Sequence, residues 1–125
     1  MRLIPADTPL PAAALAFDNA EDVLARRDEI AAAGAVVLQF PKWTDGRAYS
    51  QAVLLRMRLR YAGELIASGD VVADMLPLLQ RCGFDAAQMR ADQDHTVALR
   101  TLGRFPGQYQ GDVVGAHATQ LAQTA

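Results

Sequence analysis

The chain has 125 residues, 51% of them apolar, and a formal net charge of −2. That length fits a single domain able to bury a core unaided by disulfides or metals, and the slightly acidic balance gives no global attraction to nucleic acid or to anionic membranes. Cys82 is the only cysteine, which excludes an intrachain disulfide and, within one chain, a four-thiolate iron–sulfur or structural zinc site. The start, Met1 to Asp7, lacks the apolar core of a signal peptide, and no run approaches the roughly 18 to 20 uninterrupted apolar residues of a membrane span. A cytoplasmic protein with no nucleic-acid or membrane partner is expected.

After a lead-in marked by Pro5, Pro9 and Pro11, short apolar runs alternate with helical segments, the pattern of parallel strands joined by helices. A first strand is expected near 13–17, followed by Asp18 and Asn19 as a capping pair. The next helix has Val23, Leu24, Ile30 and Ala31 on one face and ends at Gly34. The run Ala35 to Phe40 reads as a strand buried on both faces and stopped by Pro41. A helix over 47–60 then places Ala48, Ala52, Leu55 and Leu59 on one stripe, with Arg56, Arg58 and Arg60 as polar surface. Tyr49, Val53 and Met57 form a second row at spacing four, outside the core stripe, and this row leads us to expect a homodimer.

A third strand over 64–67 leads through Ser68, Gly69 and Asp70 into a helix with Val72, Met75, Leu79 and Cys82 inward, expected to bend between Met75 and Leu78 at Pro77 and closed by Gly83. A fourth strand over 86–89 and a helix over 93–102 complete four βα units. The expected fold is thus a single α/β domain, 1–105, with a parallel sheet of four strands in chain order, wound as an open three-layer sheet or curled like half of a βα barrel. Residues 106–125, rich in Gly, Gln, Ala and Thr, are expected to form a partly disordered extension.

Parallel α/β sheets gather ligands at the carboxyl ends of their strands. That edge holds Asp18 and Asn19, then Lys42, Trp43, Thr44, Asp45 and Arg47, then Ser68, Gly69 and Asp70, then Arg90 and Asp92. Lys42, Arg47 and Arg90 beside helix starts could hold an anion. The same residues also have plain structural uses: Asn19, Thr44 or Asp45, and Asp70 as helix caps, Lys42 and Arg47 as solvated turn residues. Trp43, the sole tryptophan, lies in a turn, where it can stack on a ligand, meet a partner or cover the next helix. Cys82 reads as an inert core residue, and His95 and His117 are too far apart in sequence to signal a metal site or triad. The chain has neither G-x-G-x-x-G nor G-x-x-x-x-G-K-[ST], so no nucleotide or flavin cofactor is expected.

Three motifs, F-P-K-W-T-D-G-R-A-Y-S-Q (40–51), Y-A-G-E-L-I-A-S-G-D-V-V (61–72) and L-L-Q-R-C-G-F-D-A (78–86), occur in order and resemble the bacterial family known as domain of unknown function 934. Genes of that family commonly lie beside those for assimilatory sulfite reductase, and its members are often labelled putative oxidoreductases. The resemblance implies a cytoplasmic role in sulfate and sulfite reduction, as an accessory partner of sulfite reductase, and carries no catalytic residues with it. The strand-end residues keep open the alternative of a small anion- or phosphate-binding enzyme.

Overall fold

A computed structural model describes residues 1–103. Its five strands are β1 (Arg2–Ile4), β2 (Leu15–Phe17), β3 (Ala35–Phe40), β4 (Glu64–Gly69) and β5 (Ala86–Gln88). All neighbours are parallel, in the order β1-β5-β4-β3-β2. The helices are α1 (Arg27–Ala32), α2 (Arg47–Met57), α3 (Leu76–Arg81) and α4 (His95–Gly103), with single 3-10 turns at Val23–Arg26 and Ala73–Met75. The four βα units expected from the sequence are present as β2-α1, β3-α2, β4-α3 and β5-α4, with their strands adjacent in chain order. One strand was missed: β1 has three residues before Pro5, too short for its alternation to register, and it adds to the far edge beside β5.

Strand alternation divides the core in two. Val36, Leu38 and Phe40 of β3, Leu65 and Ala67 of β4 and Ala87 of β5 join the inward residues of all four helices, among them Ile30, Ala52, Leu55, Leu79 and Ala98. The opposite face sets Ile4, Val37, Ile66 and Ala86 against Leu10 and Ala14. The helices therefore lie on one face, as in half of a βα barrel, while the β1–β2 connection crosses the other and supplies Leu10 as its cover. Gln88 Nε2 pins that connection by donating to the carbonyls of Pro5 at 3.1 Å and Thr8 at 2.6 Å.

Several helix boundaries differ from the spacing-based ones. The segment after β2 splits into a 3-10 turn capped by Asp22, which accepts from Leu24 N–H, and a short α1; Asp18 and Asn19 do not cap it. Pro77 sits in the first turn of α3, where its missing N–H has no intrahelical role, so the helix restarts there instead of kinking. Gly83 takes φ +104 after α3, as the sequence implied. In the second row of α2, Tyr49 and Val53 are half-buried against the core and Met57 alone is exposed. The extension after 105 and His117 lie outside the described residues.

The largest departure is Arg56, expected on the polar surface of α2 but buried. Its Nε donates to Gly83 O (3.1 Å), Nη1 to Tyr61 O (2.7 Å) and Gly63 O (2.8 Å), and Nη2 to Gly83 O (2.8 Å) and Asp85 Oδ2 (2.8 Å). Every guanidinium N–H is used. Burial lowers the Arg56 pKa from its ordinary value, against the opposing pull of Asp85. Truncation leaves three carbonyls and the half-buried Asp85 carboxylate without the guanidinium, so Arg56→Ala should destabilise by about 3 kcal/mol in urea unfolding. Arg56→Lys should recover only part of that. A loss below about 1 kcal/mol for the alanine variant would show that the network is dispensable.

Candidate functional site at the strand carboxyl ends

β3 stops at Phe40 because Pro41 cannot extend the ladder, and the chain turns over Lys42 to Asp45, closed by Asp45 N–H donating to Lys42 O at 3.0 Å. Asp45 then organises the start of α2. Its carboxylate accepts the Arg47 backbone N–H (3.1 Å), pairs with the Arg47 guanidinium (2.9 Å) and receives Asn19 Nδ2 (2.9 Å) from the loop after β2. The Arg47 side chain, then its backbone N–H, holds the Asp45 carboxyl well below the usual carboxylate range. The N-cap of α2 is Gly46, without a side-chain cap bond, so Asp45 is not the expected cap: it lies one residue earlier and closes a side-chain turn onto the Arg47 N–H, while Asn19 serves as a strut between loops.

Asp70 does something else. The next helical turn begins only at Ala73, and the Asp70 carboxylate reaches back to accept Trp43 N–H at 2.7 Å while pairing with Arg90 Nη1 at 2.8 Å. Arg90 in turn pairs with Asp92 through Nε (2.9 Å) and Nη2 (2.8 Å). The loops after β3, β4 and β5 are thereby tied in one chain from Trp43 through Asp70 and Arg90 to Asp92. Gly69 permits the approach: it has φ +102, and a Cβ there would run into the Phe40 carbonyl. The expected helix cap at Asp70 is therefore corrected to a clamp across loops.

Lys42, Trp43, Thr44, Asp45, Arg47, Gly69, Asp70 and Arg90 thus share the strand carboxyl edge. Ser68 lies beneath it, on the face opposite the helices, its hydroxyl 3.4 Å from Gln88 Oε1. Two of the three cations proposed for an anion are already compensated, Arg47 by Asp45 and Arg90 by Asp70 and Asp92. Among the described residues Lys42 alone of the three has no ion pair. Trp43 keeps 56% of its surface exposed. Beside it a groove of about 370 Å³ is lined by Tyr49, Val72, Met75 and Leu78, with Asp74 and Arg90 at its rim.

A second groove of about 440 Å³ opens at the ends of β2, β3 and β4, between Asp18 and Asn19 on one side and Gly69 and Asp70 on the other. Gln39 lines it and was not singled out from the sequence, although a glutamine inside an otherwise apolar strand is a visible irregularity. Gln51 was missed as well: from α2 its Nε2 donates to Asp18 O (2.9 Å) and Glu21 O (3.0 Å), fixing the loop after β2, while its Oε1 is buried with no hydrogen-bond partner among the described residues. Cys82 is buried, as expected. Among the described residues no group of three or more His, Cys, Asp or Glu is placed to hold a metal ion, and no helix is long and apolar enough to cross a membrane.

The clamp has a defined pH signature. Arg90, and after it the Trp43 N–H, lowers the Asp70 pKa on folding, so the contribution of the clamp is complete above the ordinary aspartate value near ~3.9 and is lost as pH falls through the lower folded value. Trp43 reports on it. Its fluorescence anisotropy should hold steady from neutral pH to about pH 4 and fall below that, whereas Asp70→Ala should show the lowered anisotropy already at neutral pH. An identical acid titration in both proteins would remove the clamp.

No curated protein and no solved structure matches the chain. Residues 14–120 match the family described as "Bacterial protein of unknown function (DUF934)". That match spans most of the chain, including all four βα units and every strand-end residue discussed above, so the chain belongs to this bacterial family.

Proposed function

We propose that the protein is an accessory partner of sulfite reductase in assimilatory sulfite reduction, acting in the cytoplasm and docking through the Trp43 face. The observation that carries the docking is the contrast within one residue: the Trp43 backbone is fixed by Asp70 at 2.7 Å while its side chain is 56% exposed. A large aromatic on an anchored loop loses little conformational freedom on binding, which is the character of an interface hot spot. Leu78, 39% exposed beside the groove, extends the apolar patch. The pathway rests on the resemblance of the three motifs to their family. The alternative, an anion- or phosphate-binding enzyme, has less support, because Arg47 and Arg90 are neutralised by carboxylates. A homodimer remains part of the proposal, with Met57 the exposed member of its row; a monomer in sedimentation equilibrium at tens of micromolar removes it.

Purified sulfite reductase should retain the wild-type protein, and Trp43→Ala should weaken that binding by about 30-fold, the effect of a hot spot near 2 kcal/mol. The melting temperature should stay within about a degree or two, since exposed substitutions change stability by less than about 0.5 kcal/mol. Titration calorimetry with sulfite should give no saturable heat at millimolar concentration. Saturable sulfite binding abolished by Lys42→Glu, with no retention by sulfite reductase, would replace this reading with the anion-binding one.

A further inference from the structure

We infer that the 440 Å³ groove at the ends of β2, β3 and β4 is a binding site for a small ligand bearing an ammonium group or another cluster of hydrogen-bond donors. It is separate from the Trp43 groove and does not depend on the docking proposal. The position is the one parallel α/β sheets use for ligands, outside the strand carboxyl ends. The lining is partly apolar, with Ala16 and Pro41 beside Phe17 and Phe40, whose rings are buried in the helix-side core. The walls carry acceptors that the fold leaves unused. Asn19 is only 6% exposed, and with Nδ2 committed to Asp45 its Oδ1 has no partner among the described residues. Neither end of the Gln39 amide has one either. These atoms are not among the buried side-chain atoms left without a partner, so they meet solvent in the groove and are open to a ligand's donors in place of water.

The charge points the same way. Asp18 spends one carboxylate oxygen on Ala20 N–H at 2.9 Å, and no basic side chain lines the groove. Asp70, on the far wall, is already paired with Arg90. Such a lining disfavours carboxylates and phosphates and favours a cationic or donor-rich group beside apolar surface, a few polar groups in a partly apolar concavity being usual for small-molecule sites. Gly69 contributes by absence, since a side chain at that wall is barred by the Phe40 carbonyl.

The test uses benzylammonium as probe and benzoate as its counterpart of similar shape and opposite charge. In nuclear magnetic resonance titrations of the full chain, benzylammonium should shift the side-chain amides of Asn19 and Gln39 saturably, with a Kd on the order of millimolar, as befits so few atoms. Benzoate should not. Asp18→Asn, which keeps the acceptor for Ala20, should raise the Kd about 5- to 10-fold, in the range for removing one charged hydrogen bond. Gln39→Leu should weaken binding while retaining the fold; if it unfolds, Asp18→Asn decides. Equal shifts with benzoate, the absence of saturable shifts with benzylammonium, or an unchanged Kd in Asp18→Asn overturns the inference.

Discussion

The guanidinium of Arg56 is the point on which the packing of helices against this sheet depends. It enters the protein from α2, and its five donors are taken by the segment before β4 (Tyr61 and Gly63) and by the turn before β5 (Gly83 and Asp85). Asp85 also accepts Leu65 N–H at 2.9 Å, so one ion pair closes the amino ends of two adjacent strands. The Tyr61 ring lies 5.8 Å from the guanidinium, and its hydroxyl donates to Ala33 O at 2.9 Å, which brings in the entry to β3 as well. A hydrophobic residue could fill the same volume, but it could not satisfy carbonyls converging from separate loops. This polar knot does what disulfides do in smaller domains, at the end of the sheet away from the candidate sites.

The opposite end is built differently. There the ionic contacts are partly exposed: the Arg90 side chain is 36% exposed and Arg47 62%. Exposed pairs of this kind add little to stability. Their effect is positional, because Asp70 fixes the backbone of Trp43 and Asp45 fixes the start of α2. The molecule thus separates a buried network at the strand amino ends, which holds the fold, from a solvated one at the carboxyl ends, which shapes loops. The same division of labour between the two ends is usual in βα-repeat proteins.

The βα repeats were legible in the sequence because β3 and β4 are apolar over most of their length and the helix between them, α2, carries a clean core stripe: Ala48, Ala52 and Leu55 are all fully buried. What escaped was whatever depends on contacts distant in sequence. Arg56 looks like a surface arginine because its neighbours in the chain include Arg58 and Arg60; its burial is set by carbonyls up to 27 positions away and a carboxylate 29 positions away. Asp70 sits in an S-G-D sequence that reads as a helix cap, and only the parallel register of Phe40 with Gly69 brings it under Trp43. Strand β1 escaped for the opposite reason, since three residues give periodicity nothing to measure. The site edge was therefore readable as a list of positions, while the pairing that neutralises its cations was not.

That extra strand also explains how a one-sided sheet survives. With every helix on one face, Val37 and Ile66 would face water. With β1 at the β5 edge and β2 at the opposite edge, the connection between them traverses the bare face, and Leu10 and Ala14 land on those residues. The prolines of this segment mark its turns: Pro5 and Pro11 each open one, closed by Thr8 N–H donating to Pro5 O and Ala14 N–H donating to Pro11 O, both at 3.1 Å. The cover stops short of the carboxyl end, where the residues facing it change from Val37, Ile66 and Ala86 to Gln39, Ser68 and Gln88. Gln88 is consumed in holding the crossing and Ser68 leans on Gln88, which leaves Gln39 as the member of that polar row whose side-chain amide makes no hydrogen bond among the described residues. The open groove beside it follows directly from where the crossing segment ends.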